Sequence, residues 1–417
     1  MRVRYSTEKD GKPVKKAMVY TQDEHGINFS DVDTEAVTIV EQLRANGYET
    51  YIVGGAVRDL ILGKKPKDFD IVSAAVPTRI KKIFRNARII GHRFRLVHVY
   101  FGTKIFEVST FRSLKDGLNS NTFGTIEEDV LRRDFTLNAL FYDPLAQVVV
   151  DYVGGMRDIR GKSVRPIIPL DRIFSDDPVR MIRAVKYSAA TGFKLPLFLK
   201  WKIKKQSPLL AAVSPSRLTE EIFKILYSSR AAEIVADLEA FGLYVYLQPN
   251  ASALMKETKN FRERYLNSLR GLNDRVLRGE GASGEVLSGL IRDYLADSTC
   301  WDGDPENYKE TFLAARRFVL PMNPPRIELD KAVRLIFKEH GIMIKKSRLI
   351  ERERGKPLFS VKKAAASQGE QGVSLPKEKR LAKSRKRRSK QRGQEDRRLT
   401  EKDSEPPQKP EPADTLS

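Results

Sequence analysis

Apolar residues along the chain recur with different periods in different regions. Val32, Ala36, Val37, Ile39, Val40 and Leu43 fall at helical spacing behind Ser30, a candidate cap, and predict a helix ending near Asn46 and Gly47. Residues 50–53 form a short apolar run before Gly54 and Gly55, read as a buried strand and a turn. Residues 56–62 then read as a helix stopped at Gly63. Phe69, Ile71 and Val72 continue as strand, residues 77–84 as helix, and residues 87–90, 93–101 and 104–109 as three more strands. Residues 148–152 are strand-like too, and beyond Ile173 strand signals nearly vanish. SDDPVRMIRAVKYSAATGF opens a helix, with acids at its start, Pro178 at the first position and Gly192 as the stop. Its Met181, Ile182, Val185 and Ala189 form one stripe. SPSRLTEEIFKIL, residues 214–226, is another capped helix, and further helical patterns cover residues 285–295, 310–318 and 329–340.

This order predicts an α/β head, a sheet with helices, followed by an all-α neck and body and a disordered basic tail. The bounds are a polar, flexible segment over 1–29, the head over 30–165, the neck over 166–232, the body over 233–350 and the tail over 351–417. Residues 112–126, rich in Ser, Asn, Gly and Thr, read as a surface loop.

Composition narrows the partners. The 417 residues carry 76 lysines and arginines against 54 acids, a formal net charge of +22. That excess favours a polyanion, with nucleic acid first and an anionic membrane surface as the rival. No run of about 18 apolar residues occurs and the N-terminus lacks a signal-peptide core, which predicts a soluble cytoplasmic protein with no membrane partner. One cysteine and four histidines leave no basis for a zinc site or a disulfide framework, so any metal is carboxylate-held.

The candidate chemistry gathers in residues 51–72. Asp68 and Asp70 flank Phe69, so an extended backbone points both acids to one face. Mg2+ is commonly held by one or two carboxylates and by substrate phosphates, which suits a nucleoside triphosphate. Upstream, Gly54 and Gly55 let a phosphate approach the backbone, and Arg58, Lys64, Lys65 and Lys67 add positive charge between turn and acids. Each half alone has an ordinary explanation, a strand-to-helix turn or a solvated strand end. On the strand over 104–109, Glu107 shares a face with Ile105 and Ser109 and is a third carboxylate candidate, or an exposed strand acid.

GGAVRDLILGKKPKDFD, residues 54–70, resembles the active-site signature of the class II nucleotidyltransferases, the polymerase-β-like branch holding bacterial poly(A) polymerases and CCA-adding enzymes. The resemblance spans roughly residues 35–245 and five motifs in order. It implies two Mg2+ ions on Asp68 and Asp70 with Glu107, and a triphosphate cradled by Gly54, Gly55 and Arg58. IGHRFRLVHVYFG, residues 90–102, is similar to a signature of the bacterial poly(A) polymerases through Gly91, Arg93, Phe94, Arg95 and His98. Arg93 and Arg95 also make one basic strand face, suited to RNA or to plain solvent. RRDFT implies triphosphate and ribose contacts at Arg133 and Asp134, supported by Arg132. DYVGGMRDIRG resembles the motif joining head to neck, and equally reads as a hairpin turn.

Asp177 and Arg180 lie three apart on one helical face. They match the base-reading motif Glu-Asp-x-x-Arg, with Asp176 standing where that family has Glu. An Arg donor beside an Asp acceptor complements adenine N1 and N6, and equally cytosine N3 and N4, while uracil and guanine present the reverse order. The pair therefore explains ATP or CTP over UTP or GTP without separating the first two. Asp177 before Pro178 is also a good helix cap, unless Ser175 or Asp176 caps instead. Arg217, Glu221 and Lys224 match the fifth motif and read as ion pairs stabilising the neck. In the tail, Lys383, Arg385, Lys386, Arg387 and Arg388 form a block that holds polyanions electrostatically and resembles the basic extension of proteobacterial poly(A) polymerases.

The implied activity is template-independent polyadenylation of RNA 3' ends from ATP, with pyrophosphate released. The alternatives are a CCA-adding tRNA nucleotidyltransferase and a non-catalytic RNA-binding protein on the same fold.

Overall fold

The computed structural model describes residues 2–7, 13–91, 96–113, 122–258, 260–277 and 283–344. Arg93, Arg95, most of the loop over 112–126 and the whole tail, with Lys383, Arg385, Lys386, Arg387 and Arg388, lie outside the described residues.

The strands are β1 (Arg2–Thr7), β2 (Pro13–Tyr20), β3 (Thr50–Val53), β4 (Asp70–Ser73), β5 (Ala87–Ile90), β6 (Leu96–Phe101), β7 (Lys104–Thr110), β8 (Leu140–Asp143) and β9 (Val148–Asp151). They make one 9-stranded sheet in the order β1-β2-β9-β8-β3-β4-β7-β6-β5. All pairings are antiparallel except β4 with β7. The central strands bury both faces. Ile52, Ile71, Val108 and Tyr142 join the main core, while Tyr51, Val53, Val72 and Phe141 join a smaller core under Ile126 and Val130. That is why residues 50–53 read as a continuous apolar run rather than an alternating one.

The helices of the head are α1 (Gln22–His25), α2 (Thr34–Ala45), α3 (Gly55–Ile61), α4 (Pro77–Ile83), α5 (Ile126–Arg132) and α6 (Gly155–Arg160). Then come α7 (Ile173–Asp176), α8 (Val179–Thr191), α9 (Leu197–Gln206), α10 (Pro215–Leu226) and α11 (Ala231–Ala240). The body adds α12 (Tyr244–Leu247), α13 (Pro249–Glu257), α14 (Phe261–Leu277), α15 (Ser283–Ser298), α16 (Pro305–Phe318) and α17 (Arg326–Glu339). One apolar core runs from Val40 and Val57 through Ile182 and Ile225 to Val333. Among the described residues no helix is long and apolar enough to cross a membrane.

Three local expectations change. The described residues of the polar N-terminal segment are not loose: β1 and β2 extend the sheet, Met18 lies opposite Asp151, and Ala17 and Tyr20 are buried. Their lysines and arginines masked a pair of strands at the sheet edge, where charge is compatible with pairing. Ser30 lies in a 3-10 turn over Phe29–Asp31, and Asp33 caps α2 instead, accepting hydrogen bonds from Glu35 N at 3.0 Å and Ala36 N at 3.4 Å. β8 went unpredicted because it has only four residues, Leu140–Asp143, just after the 3-10 turn over Thr136–Asn138, too few to show a period.

Candidate active site

A cleft of about 460 Å³ is lined by Gly54, Gly55, Arg58, Asp70, Arg132, Arg133, Asp134, Asn138, Asp177, Arg180, Arg183, Lys186, Tyr187 and Lys224. That volume is within the range of small-ligand sites. The antiparallel register of β3 and β4 sets its floor, because Val53 at the end of one lies opposite Asp70 at the start of the other. The chain then turns at Gly54, with φ 78°, and a Cβ there would sit 3.7 Å from Asp70 Oδ2. Glycine thus serves the positive-φ turn, while a Cβ at that distance would make only ordinary contact with the carboxylate.

Asp70 reaches solvent through the cleft while protein walls it on the other sides. That partial desolvation, reinforced by Glu107 and then Asp68, raises its carboxyl to about 6, with Arg133 and Lys224 pulling downward. Glu107 lies on β7 one step before the parallel register of Ile71 with Val108, so it stands alongside Asp70. Across β6 it meets His98 Nε2 at 3.5 Å. Asp68 is exposed and lines a neighbouring groove of about 870 Å³ with Lys64, Lys65, Lys67 and Lys104 rather than the cleft itself. Among the described residues no three carboxylate, thiol or imidazole groups gather into a cation cage. A carboxylate set that leaves positions for substrate phosphates is the usual manner of holding Mg2+, so the donors present fit that ion.

The basic wall is held by its neighbours. Arg58 donates from Nη1 to Asn138 Oδ1 at 2.7 Å and from Nε to Asp59 Oδ1 at 2.9 Å, with its guanidinium 5.6 Å from the Tyr187 ring centre. Arg133 pairs with Asp129 one turn back, its Nη2 2.8 Å from Oδ2, and lies over Phe141. Arg132 donates to Ser113 O at 2.5 Å. Asp134 is 5% exposed. Its Oδ1 accepts from Phe135 N at 2.8 Å, and Oδ2 faces Arg183 Nη2 at 3.0 Å without hydrogen-bond alignment. Burial lowers the Arg183 pKa, but Asp134 and then Tyr187 outweigh it and the net shift is upward.

The opposite wall comes from α8 and α10. The chain breaks between α7 and α8 at Asp177, which is extended with φ −152°. Asp177 does cap α8, its Oδ1 accepting from Val179 N at 3.2 Å. It also faces the cleft beside Arg180, although it lies in extended backbone before α8 and not on the helical face that the spacing predicted. Arg217 Nη2 donates to Asp177 Oδ1 and Oδ2 at 2.9 and 2.8 Å. Arg180 is buried and donates to Ile173 O at 3.3 Å. Lys186 Nζ donates to Glu221 Oε2 at 2.6 Å, and Lys224 stands 3.4 Å from the other oxygen. Arg217, Glu221 and Lys224 are therefore ion-pairing residues of the neck, and Lys224 adds its charge to the cleft.

Asn138, Arg183, Lys186 and Tyr187 were missed in the sequence. Arg180, Arg183 and Tyr187 follow each other by three and four residues, so one stripe of α8 continues from Arg180 down the cleft. That periodicity was present in the sequence. Asn138 had no such signal, since it sits on a short 3-10 turn over Thr136–Asn138.

A mixed sheet carrying acids at its strand ends, beneath a basic wall and facing a helical neck, defines a nucleotidyltransferase head. Residues 50–165 match the family described as "Poly A polymerase head domain". Residues 192–255 match "Probable RNA and SrmB- binding site of polymerase A". Over these stretches the chain matches the class II nucleotidyltransferase family, which holds poly(A) polymerases and CCA-adding enzymes. It is 37% identical over 279 residues to poly(A) polymerase I of Salmonella typhi, covering 63% of this chain and 60% of that protein. It is 38% identical over 219 residues to the CCA-adding enzyme of Geobacillus thermodenitrificans, covering 51% and 54%. Among solved structures, the Bacillus stearothermophilus CCA-adding enzyme in complex with CTP aligns with a TM-score of 0.51 and 29% identity, covering 73% of this chain and 82% of that one. The matched stretch spans 60% or less of the length of these curated relatives.

Proposed function

We propose that the protein adds adenylate from ATP to RNA 3' ends without a template. The observation carrying this is the cleft itself, which joins Asp70 and the Arg58, Arg132 and Arg133 wall to the Asp177 and Arg180 pair. The 3' hydroxyl of RNA attacks the α-phosphate, a new phosphodiester forms, and pyrophosphate leaves. Gly54, Gly55 and Arg58 bind the β- and γ-phosphates, and Arg132 and Arg133 neutralise the charge that builds on them. Asp134, which lines the cleft, takes the ribose. Asp177 and Arg180 read the base edge. Asp70 and Glu107, joined by Asp68 from the adjoining groove, would hold two Mg2+ ions, whose chemistry when bound is to lower the pKa of the attacking hydroxyl and neutralise the leaving phosphates. Arg93, Arg95 and the basic block at Lys383, Arg385, Lys386, Arg387 and Arg388 bind the RNA substrate electrostatically.

CCA addition to tRNA is the second reading, supported by the CCA-adding relatives and by a base pair of residues that suits cytosine as well as adenine. Incubation with Mg2+, one labelled nucleoside triphosphate at a time, and either generic RNA or tRNA lacking its terminal CCA separates the two. Long adenylate tracts on generic RNA are the expected result. A single CCA on tRNA and nothing else overturns polyadenylation.

A further inference from the structure

Residues 62–69 join α3 to β4 and carry Asp68 near their end. Backbone pairing holds little of this segment. Lys64 N closes the end of α3 on Asp59 O at 2.8 Å, and residues 65–69 form no backbone–backbone hydrogen bond among the described residues. Pro66 and Phe69 are buried, while Lys67 and Asp68 between them are exposed. Lys67 supplies a tie. Its Nζ donates to Tyr227 O at 2.6 Å, across 160 residues of sequence. Tyr227 is the C-cap of α10, where carbonyls lack partners within the helix and the dipole is negative, so an ammonium is well placed there. Tyr227 is itself held, its N donating to Phe223 O at 2.9 Å and its hydroxyl to Ser283 Oγ at 3.0 Å. Lys64 Nζ stands 3.5 Å from Ala190 O in the last turn of α8.

Two lysines of one loop thus meet the C-terminal ends of the two helices that carry Arg180 and Arg217 in their first turns. With 12 residues, α10 is about 18 Å long, and one rigid element runs from the Asp177 brace to the Lys67 tie. We infer that Lys67 is a positioning residue: by fastening the α3–β4 loop to the end of α10, it fixes the backbone next to Asp68 and sets that carboxylate for a divalent cation. This rests on the cation role proposed for Asp68 above. Adjacent Cα atoms lie about 3.8 Å apart, so movement of a released Lys67 passes directly to Asp68. Pro66 and Phe69 stay in the core on either side, which confines the loosened stretch to the two exposed residues. Asp70, paired into the sheet opposite Val53, keeps its place.

Lys67→Met keeps most of the apolar stem and removes the donor. Amide hydrogen exchange of the metal-free protein is expected to rise across residues 64–69 and not across β4. Mn2+ binding, followed by the paramagnetic resonance of the free ion, is expected to weaken about 10- to 100-fold, the usual cost of removing the support behind a metal ligand. The sign is diagnostic, because deleting a positive charge beside the site would by charge alone tighten cation binding. Under catalytic conditions kcat is expected to fall with KM for ATP unchanged. Lys67→Arg can still donate to a carbonyl and is expected to recover part of each effect. Unchanged exchange in Lys67→Met overturns the tie. Raised exchange with native Mn2+ affinity, while Asp68→Asn weakens that affinity, overturns the positioning role and leaves Lys67 a structural contact. Native Mn2+ affinity in Asp68→Asn overturns the cation role of Asp68 and the positioning role with it, an outcome told apart from the others by that variant alone.

Discussion

Arg217 is exposed enough to be dismissed as a surface residue, and its replacement should nevertheless change which nucleotide is used. The two oxygens of Asp177 offer roughly four acceptor positions. Arg217 takes one on each oxygen and Val179 N takes a second on Oδ1, so the free position is on Oδ2 and its direction is set by Arg217. In Arg217→Gln the carboxylate loses that brace and can turn to meet a donor or retreat from an acceptor. A mismatched buried polar group costs about 1–3 kcal/mol, so removing one such penalty lowers the preference for ATP over UTP in kcat/KM by roughly 5- to 150-fold. The fold should barely register the change. Arg217 has 51% of its side chain exposed, and solvent screening holds the pair's contribution to about 1 kcal/mol or less. Single-turnover incorporation of each nucleotide onto a fixed RNA, alongside thermal unfolding, measures both. Arg217→Lys, which keeps charge but not the planar fork, is expected to recover part of the preference. An unchanged ATP-to-UTP ratio in a folded Arg217→Gln protein would refute Asp177 as a base-reading group positioned from α10.

Asp70→Asn is expected to abolish incorporation while RNA binding by filter retention persists; normal incorporation removes Asp70 from the chemistry. Glu221→Gln leaves the buried Lys186 without its countercharge and is expected to cost about 3–5 kcal/mol in urea unfolding. Burial acts to raise the Glu221 carboxyl, but Lys186 and Lys224 outweigh it and hold it below its ordinary 4.5. Its stabilising contribution is therefore complete above pH 4.5 and lost as pH falls through the lower folded value, so the native protein should show a steeper acid loss of stability than Glu221→Gln. Equal slopes would remove Glu221 from the acid response. Gly155→Ala pushes a Cβ against Thr136 O and the Leu140 side chain and is expected to cost about 1–3 kcal/mol; a neutral effect would show that α6 can move away from β8.

The sequence made the floor of the cleft legible and left much of its surroundings hidden. Gly54, Gly55 and Asp70 are close in the chain, and a strand-turn-helix-strand order brings them together with no distant partner required. Asp177 and Arg180 were legible for the same reason, three residues apart, although Asp177 lies before the helix and not on its face. Glu107 was readable as a face of a strand, yet only the parallel register of β7 on β4 sets it beside Asp70. Partners distant in sequence stayed invisible: Arg183 on Asp134, Arg217 on Asp177 and Lys186 on Glu221 are pairings between elements whose packing no local pattern states. Asp68 marks the limit of a strand argument. Alternation placed it on the face of Asp70, but β4 begins only at Asp70, and Asp68 turns toward the adjoining groove.

The N-terminal strands carry a consequence for synthesis. β2 joins the sheet through β9, Met18 against Asp151, more than a hundred residues downstream. At roughly 5–20 residues per second, a ribosome delivers β9 on the order of ten seconds after β2 has emerged. Until then the β1–β2 ribbon has an open edge and no core beneath it. The lysines and arginines that hid these strands in the sequence also repel other copies of the same ribbon during that wait.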